Sequence, residues 1–322
     1  MAPFGSNSDS VERRHARCLR CARRAIYFGI AEAVALTALK VALGSVTGSR
    51  ALMAASLYSM QDLMSAVAAA VGMKISERPP DRDHPYGHEK VEYLVVILMS
   101  LMLLLAIVVL AITSLASFFG EASEAQSPTM LAVWFSLICT VLCWIISGFT
   151  NCAGTELNSP SLQSYGAHQH ADFISSVAVL VGVLGGKMGY PLVDHIVAIV
   201  EIVHVVYLSG QLLGSAINGL MDAAADPRLI GRLVQIIGEV ESVVRVRRAT
   251  ARWAGQSLLA QVEVEIPGEM SVLEADQVRA GIKQAIRNLV CLRSEAFVRI
   301  SPVTVDGLDE HVEDAFITGK TR

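Results

Sequence analysis

The sequence predicts an α-helical membrane protein with six transmembrane helices followed by a small cytoplasmic α+β domain. Three observations point there. Of 322 residues, 53% are hydrophobic and only 17% charged, a balance unlike that of soluble globular chains. The apolar residues gather into six blocks, each near the ~20 residues a helix needs to cross the hydrocarbon layer. Beyond residue 225 the composition changes to the mixed charged and apolar pattern of a soluble fold. A formal net charge of −4, with few charges inside the apolar blocks, excludes a nucleic-acid partner.

The blocks cover residues 25–46, 51–75, 91–119, 128–152, 162–188 and 193–213. A Gly-Ser-Arg turn separates the first two. The third contains the uncharged run ILMSLMLLLAIVVLAI and is the clearest span, whereas the second, fifth and sixth are the polar ones. The first follows Arg23 and Arg24, but it is long and no cleavage-type site comes after it, so it reads as a retained helix and not a secretory signal. Six arginines precede it, and Lys74, Arg78, Arg82 and Lys90 flank the loop between spans two and three. The opposite loops hold Arg50, Glu121, Glu124 and Lys187. Basic loops stay inside, which makes both termini cytoplasmic. The expected organisation is a cytoplasmic N-terminal segment (1–24), a transmembrane domain (25–215), a cytoplasmic domain (226–302) and a polar, flexible tail (303–322).

Within the cytoplasmic domain, 229–240 reads as an amphipathic helix, 243–250 as a strand, and 258–266 as a half-buried strand alternating with Gln261, Glu263 and Glu265. A helix over 272–289 and a strand over 296–300 complete an αββαβ, ferredoxin-like order. A domain of roughly 75 residues buries little core, so dimerisation through it is expected. Six cysteines are scattered. Cys139, Cys143 and Cys152 fall in an apolar block and read as small buried hydrophobes, with no disulfides expected. Cys18 and Cys21 form a CxxC with His15 nearby, short of a full ligand set.

Ionisable groups at bilayer depth cost about 2.5–3.5 kcal/mol each on insertion scales, so a cluster of them calls for a function. Span two carries Tyr58 and Asp62; span five carries His168 and Asp172. Each pair is spaced i, i+4 and lies on one helix face. Facing each other, the pairs offer a phenol, two carboxylates and an imidazole, the inventory of a tetrahedral metal site. The competing explanation is that Asp62 and Asp172 pair with Lys or His between helices while Tyr58 packs at an interface. A neutral phenol is a weak donor, so Tyr58 is either a metal-assisted ligand or a neighbour of the ligands. His170 points to another face of span five. His195, Glu201 and His204 in span six suit either a proton path or interhelical hydrogen bonds. The loop DRDHPYGHEKVE holds Asp81, His84 and His88, which would stack as a metal-binding triad if the backbone were helical, and which otherwise belong to a Pro- and Gly-rich turn. His88 and Glu89 begin no HExxH motif, because position 92 is Glu.

Six spans, i, i+4 pairs in spans two and five, the DHPYGHEKVE loop and a small C-terminal domain together resemble the cation diffusion facilitator family, over nearly the whole chain from Cys18 to Val303. Tyr58 in place of the usual His or Asp departs from most members. With the strings YSMQD and AHQHAD, NSP before span five, GLMD after span six and the N-terminal CxxC, it is similar to the magnetosome-associated branch. The resemblance implies a dimeric carrier, not an enzyme, that exchanges cytoplasmic divalent cations for protons by alternating access, with ferrous iron favoured and zinc or manganese as alternatives. It assigns Tyr58, Asp62, His168 and Asp172 to the transport site, Asp81, His84 and His88 to a second site, and Lys90 and Asp222 to an inter-subunit charge interlock. No cofactor is expected beyond the transported Fe2+, Zn2+ or Mn2+. The implied partners are metal ions, protons, the lipid bilayer and a second copy or a paralogue in a heterodimer, in a bacterial inner membrane or magnetosome membrane. Between Asp226 and Pro302 there is no histidine, so imidazole-based regulatory sites of relatives have no match. Glu263, Glu265 and Asp276 are the acidic candidates there. The rival readings are a non-transporting scaffold that stabilises a partner subunit, and a membrane metalloenzyme, for which no nucleophile is apparent.

Overall fold

A computed structural model describes residues 24, 26–35, 37–38, 41–42, 50–119, 130–187, 192–290 and 294–303. The CxxC segment and the tail beyond residue 303 lie outside these. The chain divides between Leu220 and Met221 into two compact units.

The first unit is helical. Its elements are α1 (Ile26–Ala35), α2 (Arg50–Ser76), α3 (Val91–Phe119), α4 (Met130–Leu157), α5 (Pro160–Lys187) and α6 (Leu192–Leu220). Helices α2 to α6 are 27 to 29 residues long, which at 1.5 Å per residue is roughly 40–44 Å. That exceeds the ~30 Å hydrocarbon core. Among the described residues, Val91–Val109 is the segment both long and apolar enough to cross a membrane on composition; α2 and α5 carry polar residues on their inner faces.

The outer surface of this unit is apolar, unlike that of a water-soluble protein. The exposed side chains include Leu98, Leu105 and Ile112 of α3, Trp144 and Phe149 of α4, and Ile199, Val203 and Tyr207 of α6. The buried ones include Ser65, Ser100, Thr150, Ser164, His168 and Gln169. An apolar exterior, with polar groups buried among apolar clusters inside, suits lipid as the solvent, because polar groups there must find partners within the protein. Small residues allow close helix approach. A Cβ on Gly219 of α6 would fall 2.2 Å from Cε1 of Tyr93 in α3, and one on Gly154 of α4 would fall 2.8 Å from the backbone nitrogen of Gln163 in α5.

The α4–α5 corner follows from its sequence. Asn158 adopts the left-handed conformation at φ 48°, its N–H reaches Thr155 O at 3.2 Å, and that of Ser159 reaches Gly154 O at 2.9 Å. This is the Schellman pattern that ends a helix. Pro160 then opens α5, where its missing N–H costs nothing.

The second unit runs α7 (Pro227–Gly238), β1 (Arg245–Ala254), β2 (Ser257–Ile266), α8 (Val272–Val290) and β3 (Ser294–Pro302). Asp226 caps α7, accepting from Arg228 N at 2.7 Å, with proline in the first turn. A two-residue loop joins β1 to β2, and Gly255 supplies the positive φ of 55° that it requires. β2 is central, antiparallel to β1 and parallel to β3, the return to a parallel strand being made through α8. Leu233 and Ile237 of α7, Leu258, Val262 and Val264 of β2, and Ile282 and Ile286 of α8 form the core. Glu274 closes a capping box at the start of α8: Ser271 N and Oγ each donate to its carboxylate at 2.8 Å, and these bonds hold the carboxyl below its usual range.

Candidate metal centre

Helices α2 and α5 bring Asp62, His168 and Asp172 together. His168 Nε2 lies 3.3 Å from Asp62 Oδ1 and 3.7 Å from Asp172 Oδ2. One ligand atom from each residue fits within a 4.8 Å span. Metal–oxygen and metal–nitrogen bonds near 2.0–2.2 Å in a tetrahedral shell place ligand atoms roughly 3.3–3.6 Å apart, close to these separations. His168 is 2% exposed, and neither of its ring nitrogens makes a hydrogen bond. An unsatisfied buried polar group costs about 1–3 kcal/mol. A cation between the two carboxylates would engage Nε2 and both aspartates at once. Tyr58 lies on α2 one turn before Asp62, and its side chain is outside the described residues.

Around this cluster the structure adds residues the sequence reading passed over. Tyr165, one turn before Gln169 on α5, is fully buried and accepts a 2.7 Å hydrogen bond from Gln169 Nε2. It packs on α1, where a Cβ on Gly29 would fall 2.3 Å from its hydroxyl. Glu32, three residues along α1, accepts from Cys143 Sγ of α4 at 3.8 Å. Glu32, Asp62 and Asp172 all lie near enough to Tyr165 to act on it electrostatically. A single carboxylate inside an apolar run was the available signal for Glu32.

The loop cluster is built differently. The backbone from Asp81 to Lys90 is a succession of turns, not the helix that would have stacked the triad. Asp81 Oδ1 accepts from the backbone nitrogens of Asp83 at 3.1 Å and His84 at 2.6 Å, and Gly87 turns the chain back at φ 84°. His84 Nδ1 then stands 3.2 Å from Asp81 Oδ1, and His88 Nε2 3.3 Å from Asp81 Oδ2. The three offer ligand atoms within 4.8 Å of one another. The His84 N–H holds the Asp81 carboxyl below its usual range. His88 is mostly covered, with a buried Nδ1 lacking a hydrogen bond.

The remaining candidates divide. His170 is exposed on the outer face of α5, edge-on to Phe173 at 6.0 Å. His204 is half-buried in α6, while the side chains of His195 and Glu201 lie outside the described residues. Lys90 immediately precedes α3; Asp222 follows α6 at φ 59° and pairs with Arg252 of β1. In the second unit the acids pair with arginines: Glu263 with Arg299 at 3.8 Å, Glu265 with Arg247 at 2.6 Å, and Asp276 with Arg279 at 3.2 Å.

Comparison with known proteins places this geometry in a lineage. The chain is 27% identical over 274 residues to the magnetosome protein MamM of Magnetospirillum gryphiswaldense, covering 85% of this chain and 86% of that one. It is 25% identical over 285 residues to the magnetosome protein MamB of the same organism, covering 88% and 95%. It is 24% identical over 258 residues to the manganese efflux system protein MneS of Bacillus subtilis, covering 80% and 88%. The cation efflux transmembrane domain matches residues 26–221, and the cytoplasmic domain of cation efflux proteins matches residues 225–303. With more than half its length matched by the transmembrane domain alone, the chain is a membrane protein that belongs to the cation efflux family.

Proposed function

We propose that the chain exports divalent metal ions from the cytoplasm in exchange for protons, loading each ion between α2 and α5 at Asp62, His168 and Asp172 with Tyr58 beside them. The observation that carries this reading is the buried His168 imidazole, held between two carboxylates with neither nitrogen hydrogen-bonded. Helices α1 to α6 are taken as six membrane crossings with both termini cytoplasmic, and the second unit as a ferredoxin-like dimerisation domain. The membrane is the bacterial inner membrane or a magnetosome membrane.

The chemistry follows from the donor set. Two carboxylates and one imidazole accept Fe2+, Mn2+ or Zn2+. Ferrous iron is the favoured cargo by likeness to magnetosome proteins, and manganese is the cargo in the name of one relative. The same lone pairs bind either metal or protons. Protonation of His168 and the aspartates on the far side would therefore release the ion, and deprotonation on the cytoplasmic side would restore the site. Rocking of α2 and α5 against the remaining helices switches access. Asp81, His84 and His88 form a second, water-facing metal site, and Lys90 and Asp222 the subunit interlock.

Proteoliposomes containing the purified chain test this reading under an imposed pH gradient, with Fe2+, Mn2+ and Zn2+ in competition. Metal flux with counter-moving protons, lost in Asp62→Ala and Asp172→Ala, is the expected result. Folded protein that moves none of the three ions would overturn it.

A further inference from the structure

Glu92 is the second residue of α3 and is fully buried. Its carboxylate gathers donors from two other helices. Ser76, the last residue of α2, donates to Oε1 at 2.8 Å. Oε2 accepts from Ser159 Oγ in a close contact, from Ser161 Oγ at 2.9 Å and from Ser161 N at 3.3 Å. All three serines are themselves buried. Ser159 precedes Pro160, the first residue of α5, so the carboxylate sits at that helix's N-terminus, where backbone N–H groups and the helix dipole favour negative charge. The same carboxylate thus fastens the end of α2 to the beginning of α5.

Those are the two helices that carry the metal centre, and the distances along them match. Asp62 lies 14 residues before Ser76 (76 − 62), and Asp172 lies 13 residues after Ser159 (172 − 159). At 1.5 Å per residue these are about 21 and 20 Å. Starting from one clamp, the two carboxylates reach the same depth. Sliding either helix by one residue would shift its aspartate by about 1.5 Å and turn it by about 100°, far outside the ±0.2 Å tolerance of metal–ligand bonds.

We propose that Glu92 is a positioning residue: by clamping Ser76 of α2 to Ser159 and Ser161 of α5, it sets the axial register in which Asp62 and Asp172 meet on one ion. The assignment rests on the transport-site reading above, and Glu92 itself touches no metal. Deleting the clamp acts on the ion only through the two helices. Removing a residue that orients metal ligands typically weakens metal binding by 10–100-fold.

The test measures equilibrium Mn2+ binding and Mn2+ flux on the full-length protein for wild type, Glu92→Ala, Glu92→Gln and the double variant Ser159→Ala/Ser161→Ala. Glu92→Ala is expected to raise the Kd and the KM by about tenfold or more, with a smaller change in maximal flux. Glu92→Gln keeps the length, one acceptor oxygen and a donor for a serine hydroxyl, and is expected to restore the Kd to within about threefold of wild type. A clamp that merely stabilises the fold would lower the melting temperature and leave the Kd alone, and that result overturns the proposal. Should Glu92→Ala fail to fold, the serine pair decides: a Kd unchanged from wild type refutes the clamp. If the wild type binds Mn2+ but transports nothing, the transport reading falls while the binding comparison still judges Glu92.

Discussion

The central cluster and the loop cluster use the same side-chain types, yet they differ in burial and in hydrogen bonding. In the bundle, His168 is almost wholly buried, its nitrogens have no hydrogen bonds, and its carboxylate neighbours come from two helices. In the loop, Asp81 is 51% and His84 58% exposed, and the Asp81 carboxylate is already occupied by backbone N–H groups. Local hydrogen bonds occupy Asp81 Oδ1, while water reaches Asp81 and His84. In the bundle the polar groups beside His168 Nε2 are the Asp62 and Asp172 carboxylates, at 3.3 and 3.7 Å.

The comparison ranks the expected effects. Asp62→Ala or Asp172→Ala removes a ligand outright and should lower Mn2+ affinity by more than about 100-fold, beyond the 10–100-fold typical of outer partners; titration of purified protein reads this. His168→Leu should abolish binding as well and lower the melting temperature of the metal-free protein by a few degrees, because the Asp62 and Asp172 carboxylates lose the imidazole between them. Thermal unfolding without metal checks it, and a raised midpoint would mean that the imidazole does not hold the two carboxylates. His88→Ala should weaken the loop site more than His84→Ala, since His88 is 12% and His84 58% exposed; both should leave central-site affinity within about threefold, far below the outer-partner effect.

The smallest effect belongs to the second unit. Glu274 has a folded pKa below its ordinary value, so its capping bonds stabilise the folded state above that ordinary value and lose this contribution as pH falls through the folded value. Glu274→Gln should flatten the acid limb of the second unit's unfolding curve, followed by far-UV circular dichroism of the full chain.

Much of this was readable from spacing. The 91–119 run coincides with α3 as observed, because an uninterrupted apolar stretch needs no context. Helix α4 runs five residues past the expected 152, and α6 seven past 213. Their last turns carry Thr155, Glu156, Ser215 and Asn218, polar residues that leave an apolar block without breaking a helix. Strand β1 begins two residues later than expected and continues to Ala254, since its length is set by pairing with β2 across the Gly255 turn and not by its own alternation. That Asp62, His168 and Asp172 would gather could be anticipated because i, i+4 spacing is a local signal. Glu92 carried no such signal: its partners Ser159 and Ser161 stand 67 and 69 residues away, and only folding brings them to one carboxylate. The side chain of Tyr58 lies outside the described residues.

Pulsed electron paramagnetic resonance of Mn2+ bound to the full-length protein tests the shared ion most directly, in a His84→Ala/His88→Ala background that silences the loop. The account predicts nitrogen hyperfine coupling from a single imidazole, lost in His168→Ala, with the ion itself lost in Asp62→Ala and in Asp172→Ala. Tightly bound Mn2+ without nitrogen coupling, or binding that survives removal of both aspartates, would contradict it.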